Sequence, residues 1–326
     1  MSVLDGVLLL DKPVGITSAR AVAVVKRRLC EPGTGPGSGR KAGPKVGHLG
    51  TLDPFASGLL PMCVGEGTKI APYLNTSDKR YTGIVKLGVV TDTLDATGQV
   101  IEERSAPDPE TLDLAALATA FTGPIEQIPP AFSAIKKGGV RMYELARRGE
   151  APELEPRVVT IHSLSIVAAG PDTLSLDVQC SKGTYIRSLA RDIGERIGCG
   201  ALLAELRRTR FGVFSIDGAI ALDALETDDG RERAVRAMLS PAKALTGLRE
   251  LAADGSDAAR LRSGQQAALA ALPPPSAGDR RAKVVTSDGA LAAIVCEQAG
   301  RWKLERVFLA EREGGRPSVA QHDPPC

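Results

Sequence analysis

With 326 residues, a net charge of only +2 and 25% charged residues, the chain has the bulk profile of an ordinary globular protein, long enough for two domains. There is no global basic field, so any contact with nucleic acid must rest on local patches. The six cysteines (Cys30, Cys63, Cys180, Cys199, Cys296 and Cys326) are scattered, which excludes zinc-ligand spacing and suits a reducing compartment better than a disulfide framework.

The first residues, M-S-V-L-D-G-V-L-L-L-D-K, lack a basic leader, and Asp5 and Asp11 interrupt their apolar run, so no signal peptide is expected. No stretch approaches the apolar length of a membrane span, and a cytoplasmic protein is expected. Gly6 to Leu10 reads as a short apolar strand. Thr17 or Ser18 can cap a helix through Leu29, with Ala21, Val24, Val25 and Leu29 along one side. Residues 31–46 form a Gly/Pro-rich loop, expected to be mobile, that carries Arg40, Lys41 and Lys45. Leu59 to Val64 reads as a buried strand, and a short helix is expected after Thr68. Tyr81 to Val90 reads as a strand with Tyr81, Gly83, Val85, Leu87 and Val89 on one face.

After the polar turn T-D-T-L-D-A-T-G, Pro109 to Phe121 reads as an amphipathic helix. The segment Lys136 to Arg148 carries Lys136, Lys137, Arg141, Arg147 and Arg148 against the single acid Glu144. Two strands are expected at 157–168 and 173–180. A helix follows, with Ile186, Leu189, Ala190, Ile193 and Ile197 on one face. Arg207, Arg208 and Arg210 form a basic cluster, and helices are expected across 221–239. Composition shifts near residue 245. Strand candidates at 283–286, 291–296 and 301–308 predict two domains, 1–245 and a small β-rich unit 246–326 that ends in a disordered tail.

Several chemistries lack their motifs. No Gly-Lys dipeptide exists to build a phosphate loop, and no G-x-S-x-G nucleophile elbow is present. A strand-linked dinucleotide fingerprint is also missing. Only three histidines occur, His48, His162 and His322, so a histidine-based metal site or triad has little to draw on. What remains is a carboxylate, a tyrosine and arginines. Asp53 stands in G-H-L-G-T-L-D-P-F-A-S-G-L-L, a turn of small residues before an apolar run. Each candidate also has an ordinary reading. Asp before Pro caps turns, and His48 can be a hydrogen-bonded loop residue. Tyr81 can be a core aromatic and Arg187 a solvated helix charge, while the 136–148 run can be a solvated face.

The ordered set G-V-L-L-L-D-K-P-V-G-I-T-S, G-H-L-G-T-L-D-P-F-A-S-G-L-L-P, D-K-R-Y-T, T-D-T-L-D-A-T-G-Q-V, I-E-Q-I-P-P-A-F-S-A-I-K and C-S-K-G-T-Y-I-R-S-L-A-R-D-I-G closely resembles the bacterial tRNA pseudouridine-55 synthases, the TruB family. The resemblance runs from Gly6 to Arg210 and weakens beyond. The chain departs from the family's pattern in its longer 31–46 loop and at Leu49 and Phe55. The resemblance implies an α+β fold: a mixed, mainly antiparallel sheet flanked by helices, with a small β-rich PUA-like C-terminal domain. It implies isomerisation of uridine to pseudouridine at position 55 in the T-loop of tRNA, with no cofactor and no metal.

By the same resemblance Asp53 is the catalytic carboxylate, attacking C1′ or C6 or removing a ribose proton. Arg187 pairs with it. Tyr81 stacks on the target base and is the candidate to take the C5 proton. His48, Lys12, Tyr185 and Leu206 support or wall the bound nucleotide. Extrusion of the base costs a few kcal/mol, which backbone contacts must offset. Lys41, Lys136, Lys137, Arg141, Arg147, Arg148, Arg207, Arg208 and Arg210 are the candidates for those contacts. The expected partner is the tRNA T-arm, engaged by a monomer. The competing readings are a non-catalytic tRNA-folding chaperone and a pseudouridine synthase acting on other RNAs.

Overall fold

The computed structural model describes residues 4–29, 44–74, 78–132 and 154–309, together with the backbone of 136–137 and 140–141. The Gly/Pro-rich loop and the C-terminal tail singled out above lie largely outside these residues.

The strand Gly6–Lys12 is apolar on both faces because both are covered. Leu8 and Leu10 point into one core with Leu60, Met62 and Val64 of the neighbouring strand Ser57–Val64. Val7 and Leu9 point the other way, into a second core with Leu59, Cys63, Val285, Leu291, Ile294 and Phe308. Period-two alternation therefore makes one pair of strands serve two cores.

These strands belong to a mixed sheet. Its order is Ile220–Ala221, Gly6–Lys12, Ser57–Val64, Ala201–Phe211, Lys79–Leu87, Thr173–Cys180, Arg157–Gly170, Gly123–Gln127. Gly6–Lys12 runs parallel to Ile220–Ala221, and Ala201–Phe211 runs parallel to Ser57–Val64; the other neighbours along this order are antiparallel. The fold is thus α+β with a mainly antiparallel mixed sheet, as the sequence predicts. A separate four-stranded sheet follows in the order Arg249–Ala253, Arg281–Thr286, Leu291–Gln298, Arg301–Val307. It encloses a third core that includes Leu251, Leu261, Val284, Val295 and Trp302.

The helix Ser18–Leu29 buries the predicted Ala21, Val24, Val25 and Leu29, and the Thr17 hydroxyl accepts from the Arg20 amide at 3.1 Å at its start. The helix Ile186–Ile197 buries Ile186, Leu189, Ala190 and Ile193. It stops at Gly198 (φ 97°), whose amide donates to Gly194 O and Glu195 O.

Some expectations need correction. The helix predicted over Pro109–Phe121 is two pieces, a 3₁₀ turn Pro109–Thr111 and a helix Leu114–Ala120. Asp113 divides them by capping the second through the Ala116 amide at 2.9 Å. The strand predicted to reach Val90 stops at Leu87 because Gly88 turns with φ 81°. Across 221–239 the helix Gly230–Ala237 is preceded by a 3₁₀ turn at Asp223–Leu225 and the edge strand Ile220–Ala221. No helix among the described residues is long and apolar enough to cross a membrane.

Candidate active site

Asp53 hangs in a loop that three contacts fix. The Leu52 amide donates to Ser18 Oγ at 2.9 Å, and that hydroxyl lies 2.9 Å from Leu52 O, so one side chain brackets both backbone polar groups of Leu52. The Gly15 amide donates to Pro54 O at 2.7 Å, and the Leu49 amide donates to Pro61 O at 2.9 Å. Gly50 turns with φ 60°, and a Cβ there would lie 2.8 Å from the Phe211 ring. Only glycine fits that close, left-handed position. The result is a carboxylate side chain 38% exposed on an otherwise packed loop.

Arg187 approaches from the first turn of its helix with its side chain 5% exposed. Its Nη2 lies 2.8 Å from Asp53 Oδ2 and also donates to Phe132 O at 2.9 Å. Its Nη1 donates to Thr93 O at 2.8 Å and lies 3.5 Å from Asp95 Oδ2. The guanidinium therefore bridges two carboxylates, one at the cleft and one buried. Asp95 is itself held: its Oδ1 accepts from Thr93 Oγ1 at 2.9 Å, from the Thr97 amide at 3.0 Å and from Thr97 Oγ1 at 2.6 Å. This is what T-D-T-L-D-A-T-G builds, an anchored anion behind Arg187. With two further donors on the carbonyls of Thr93 and Phe132, Arg187 has its orientation set from four sides.

Asp53 and Arg187 share a cleft of about 300 Å³ with Tyr81, Tyr185, Leu206, Lys79, Lys182 and Arg208. Tyr81 comes from the strand Lys79–Leu87 and is 7% exposed. Tyr185 precedes the Arg187 helix, and the Gln127 side chain clamps its peptide: Gln127 Oε1 accepts from the Tyr185 amide at 2.7 Å and Nε2 donates to Tyr185 O at 3.1 Å. Burial pushes the Tyr81 hydroxyl up from its ordinary value, and the positive charge of the Arg208 guanidinium pulls it back. Burial brings Lys79 down to about 8, with Arg208 acting in the same direction. The Lys79 ammonium stands 4.7 Å from the centroid of the Phe211 ring.

The other sequence candidates divide. Lys12 is fully buried, donating to Pro13 O at 2.8 Å and Ile16 O at 2.9 Å, and stands outside the cleft lining. Burial lowers it to about 8, against the opposing pull of Asp53. His48 is also outside that lining, on the short strand Val46–His48 paired to Ser57–Val64, and burial followed by Arg208 favours its neutral form. Arg207 is held to Asp11 at 2.7 Å, and Arg210 is exposed.

The expectation that Arg208 contacts the RNA backbone is corrected. The side chain is wholly buried, its Nε donating to Leu59 O and its Nη2 to Gly50 O, each at 2.8 Å. It faces inward because the strand Ala201–Phe211 is central, so that alternate residues of an apparent basic cluster point into the core. Lys136, Lys137 and Arg141 belong to a two-stranded hairpin described by its backbone alone, and Lys41, Arg147 and Arg148 lie outside the described residues. Asp95, Gln127, Lys79 and Lys182 are site-forming residues that sequence reading did not single out, although all lie inside segments it quoted. Among the described residues no group of three or more His, Cys, Asp or Glu could hold a metal.

Residues 39–186 match the model of the TruB family pseudouridylate synthase N-terminal domain, and residues 187–246 match that of the tRNA pseudouridylate synthase B C-terminal domain. The chain is 45% identical to a tRNA pseudouridine synthase B of Chromohalobacter salexigens over 266 residues, 82% of each chain. It is 42% identical to one of Burkholderia mallei over 309 residues, 94% of this chain and 97% of that one. Among solved structures it resembles the archaeal box H/ACA sRNP Nop10–Cbf5 complex with a TM-score of 0.66 at 25% identity, over 94% of this chain and 87% of that one. The chain belongs to the TruB family of pseudouridylate synthases.

Proposed function

We propose that this chain isomerises uridine to pseudouridine in tRNA, at position 55 of the T-loop, as a cytoplasmic monomer that uses neither cofactor nor metal. The observation that carries the reading is the 2.8 Å pair of Arg187 and Asp53 at a cleft that Tyr81 and Leu206 also line. Identity of 42–45% to relatives named tRNA pseudouridine synthase B favours tRNA over other RNAs. The cleft of about 300 Å³ lies at the small end of ligand cavities, a size suited to one extruded nucleotide.

In this reading the N1–C1′ bond of uridine breaks, the uracil turns, and C5 bonds to C1′. The proton leaving C5 and the proton gained at N1 balance, so the reaction is a net isomerisation. Asp53 acts as the ionised carboxylate, by attack on C1′ or C6 or by removing a ribose proton. Arg187 holds it against the cleft. Tyr81 stacks on the base and takes the C5 proton; Leu206 and Tyr185 wall the pocket, and Lys12 and His48 support it from behind. Lys182 and Lys79, together with Arg207, Arg210 and the basic 136–148 segment, supply contacts to the RNA backbone. Residues 1–245 carry the reaction, and 246–326 form a second unit that extends contact along the tRNA.

The test uses unmodified tRNA transcript labelled with tritium at C5 of uridine, whose release reports bond exchange. Asp53→Asn lowers the single-turnover rate at least about 10⁴-fold while tRNA binding persists; near wild-type release from the purified variant would refute the assignment. Tyr81→Phe keeps the stacking surface and lowers the rate by about 10²–10⁴-fold, whereas equal turnover would exclude its proton-transfer role.

A further inference from the structure

Arg208 is a second arginine at the cleft, and the reaction as described does not use it. It is wholly buried in the central strand, yet none of the described carboxylates lies within ion-pair distance of it. Its Nε and Nη2 are spent on the carbonyls of Leu59 and Gly50. Nη1 is buried and meets no partner in good hydrogen-bond geometry. Across the sheet its register partner is Tyr81, and both line the cleft. A lone buried cation is costly unless something repays it.

The geometry points to Arg208 as the positioning residue for Tyr81: its guanidinium orients the phenol hydroxyl and compensates the negative charge the oxygen carries when deprotonated. This inference rests on the reading that Tyr81 exchanges a proton with the uracil. The carbonyls of Leu59 and Gly50 hold the guanidinium still, so the spare Nη1 edge is the one left for the phenol oxygen. Three influences on that oxygen oppose ionisation. They are the surrounding apolar burial, Cys180 and Asp53, and the charge of Arg208 acts against them, while Lys79, Lys182 and Arg187 also line the cleft. The centroid of the Phe211 ring lies 5.3 Å from the guanidinium carbon. Arg208 also pushes Lys79, in the cleft, and His48, outside its lining, toward their neutral forms.

The experiment titrates Tyr81 in the full-length protein without RNA, by the ultraviolet difference absorbance of the phenolate. Subtracting the Tyr81→Phe variant removes the signals of Tyr73, Tyr143 and Tyr185. Arg208→Met raises the Tyr81 ionisation midpoint by about one to three pH units. It also lowers the single-turnover rate at neutral pH, with recovery as pH rises and little change in KM. Arg208→Lys restores part of the midpoint shift. An unmoved midpoint in folded Arg208→Met overturns the proposal.

If Arg208→Met fails to fold, Arg208→Gln carries the same expectation, because it removes the charge but keeps donors for the carbonyls. If both neutral variants are unfolded, Arg208→Lys carries the test: a midpoint and a rate that move together, or that both stay at wild type because the charge is retained, fit the proposal, whereas a rate lost with an unmoved midpoint overturns it. The titration needs neither RNA nor turnover. An active Asp53→Asn would therefore sink the functional reading while leaving the Tyr81–Arg208 coupling measurable.

Discussion

Two buried arginines stand at one cleft and are treated in opposite ways. Arg187 faces two carboxylates, Asp53 and Asp95, and is oriented from four sides. Arg208 faces carbonyls and an aromatic ring, with Tyr81 as its register partner on the neighbouring strand. The first arrangement holds an anion in place; the second leaves a positive field for a neutral group to respond to. A guanidinium stays charged in both settings, so the neighbours alone decide whether it acts as a clamp or as a source of potential.

The comparison is broken most directly by removing the clamp. Arg187→Met leaves Asp95 buried without its cation and costs about 3–5 kcal/mol of stability, read from urea unfolding. Turnover falls with it, and a wild-type unfolding midpoint would show that the pairing carries no net energy. Arg187→Lys spares more of the fold but impairs turnover more than tRNA affinity, because a point charge cannot reach both carboxylates as the fork does.

Asp95→Asn sharpens the contrast by weakening the buried end alone. One charge-assisted interaction is lost, worth about 1.5–3 kcal/mol, or a fall of about 10–100-fold in single-turnover rate if Arg187 drifts from Asp53. Unchanged turnover would mean that the carbonyls of Thr93 and Phe132 suffice to place the guanidinium.

The smallest effect tests the reach of Arg208. Lys79 is lowered from the ordinary lysine value to about 8, so its charge is complete well below pH 8 and is lost as pH rises through it. Affinity for tRNA therefore weakens across that window. Lys79→Met removes this limb and reduces the salt dependence of binding by about one ion. In Arg208→Met the limb moves to higher pH. A pH-independent affinity in the wild type would exclude Lys79 as a backbone contact.

Much of this was legible in the chain. An unbroken apolar run gives the strand after Asp53, period-two alternation the strand that begins near Tyr81, and helical spacing of one apolar face the helix that carries Arg187. The strand Ala201–Phe211 was not legible, although it is central to the sheet. Its R-R-T-R ending reads as solvated charge, and nothing local says that Arg208 points into the core. The strand Gly123–Gln127 was hidden by its glycine and proline and by alternate exposure. Asp95 sat in view as a turn residue. Its pairing with Arg187 depends on a contact between residues far apart in sequence, which spacing along the chain does not encode. The Asp53–Arg187 pair was anticipated from the family's motifs, whereas the loop contacts that aim Asp53 needed coordinates.

The bracket of Ser18 around Leu52 has a consequence for synthesis on the ribosome. The loop bearing Asp53 and the helix that brackets it emerge early, but Arg187 and Arg208 emerge much later. A nascent chain can close the early bracket and still lack both cations, so the carboxylate has no assembled cleft around it. Competence for chemistry therefore arrives as a late, non-local event. Unfinished chains cannot turn over RNA, however well their first half has folded.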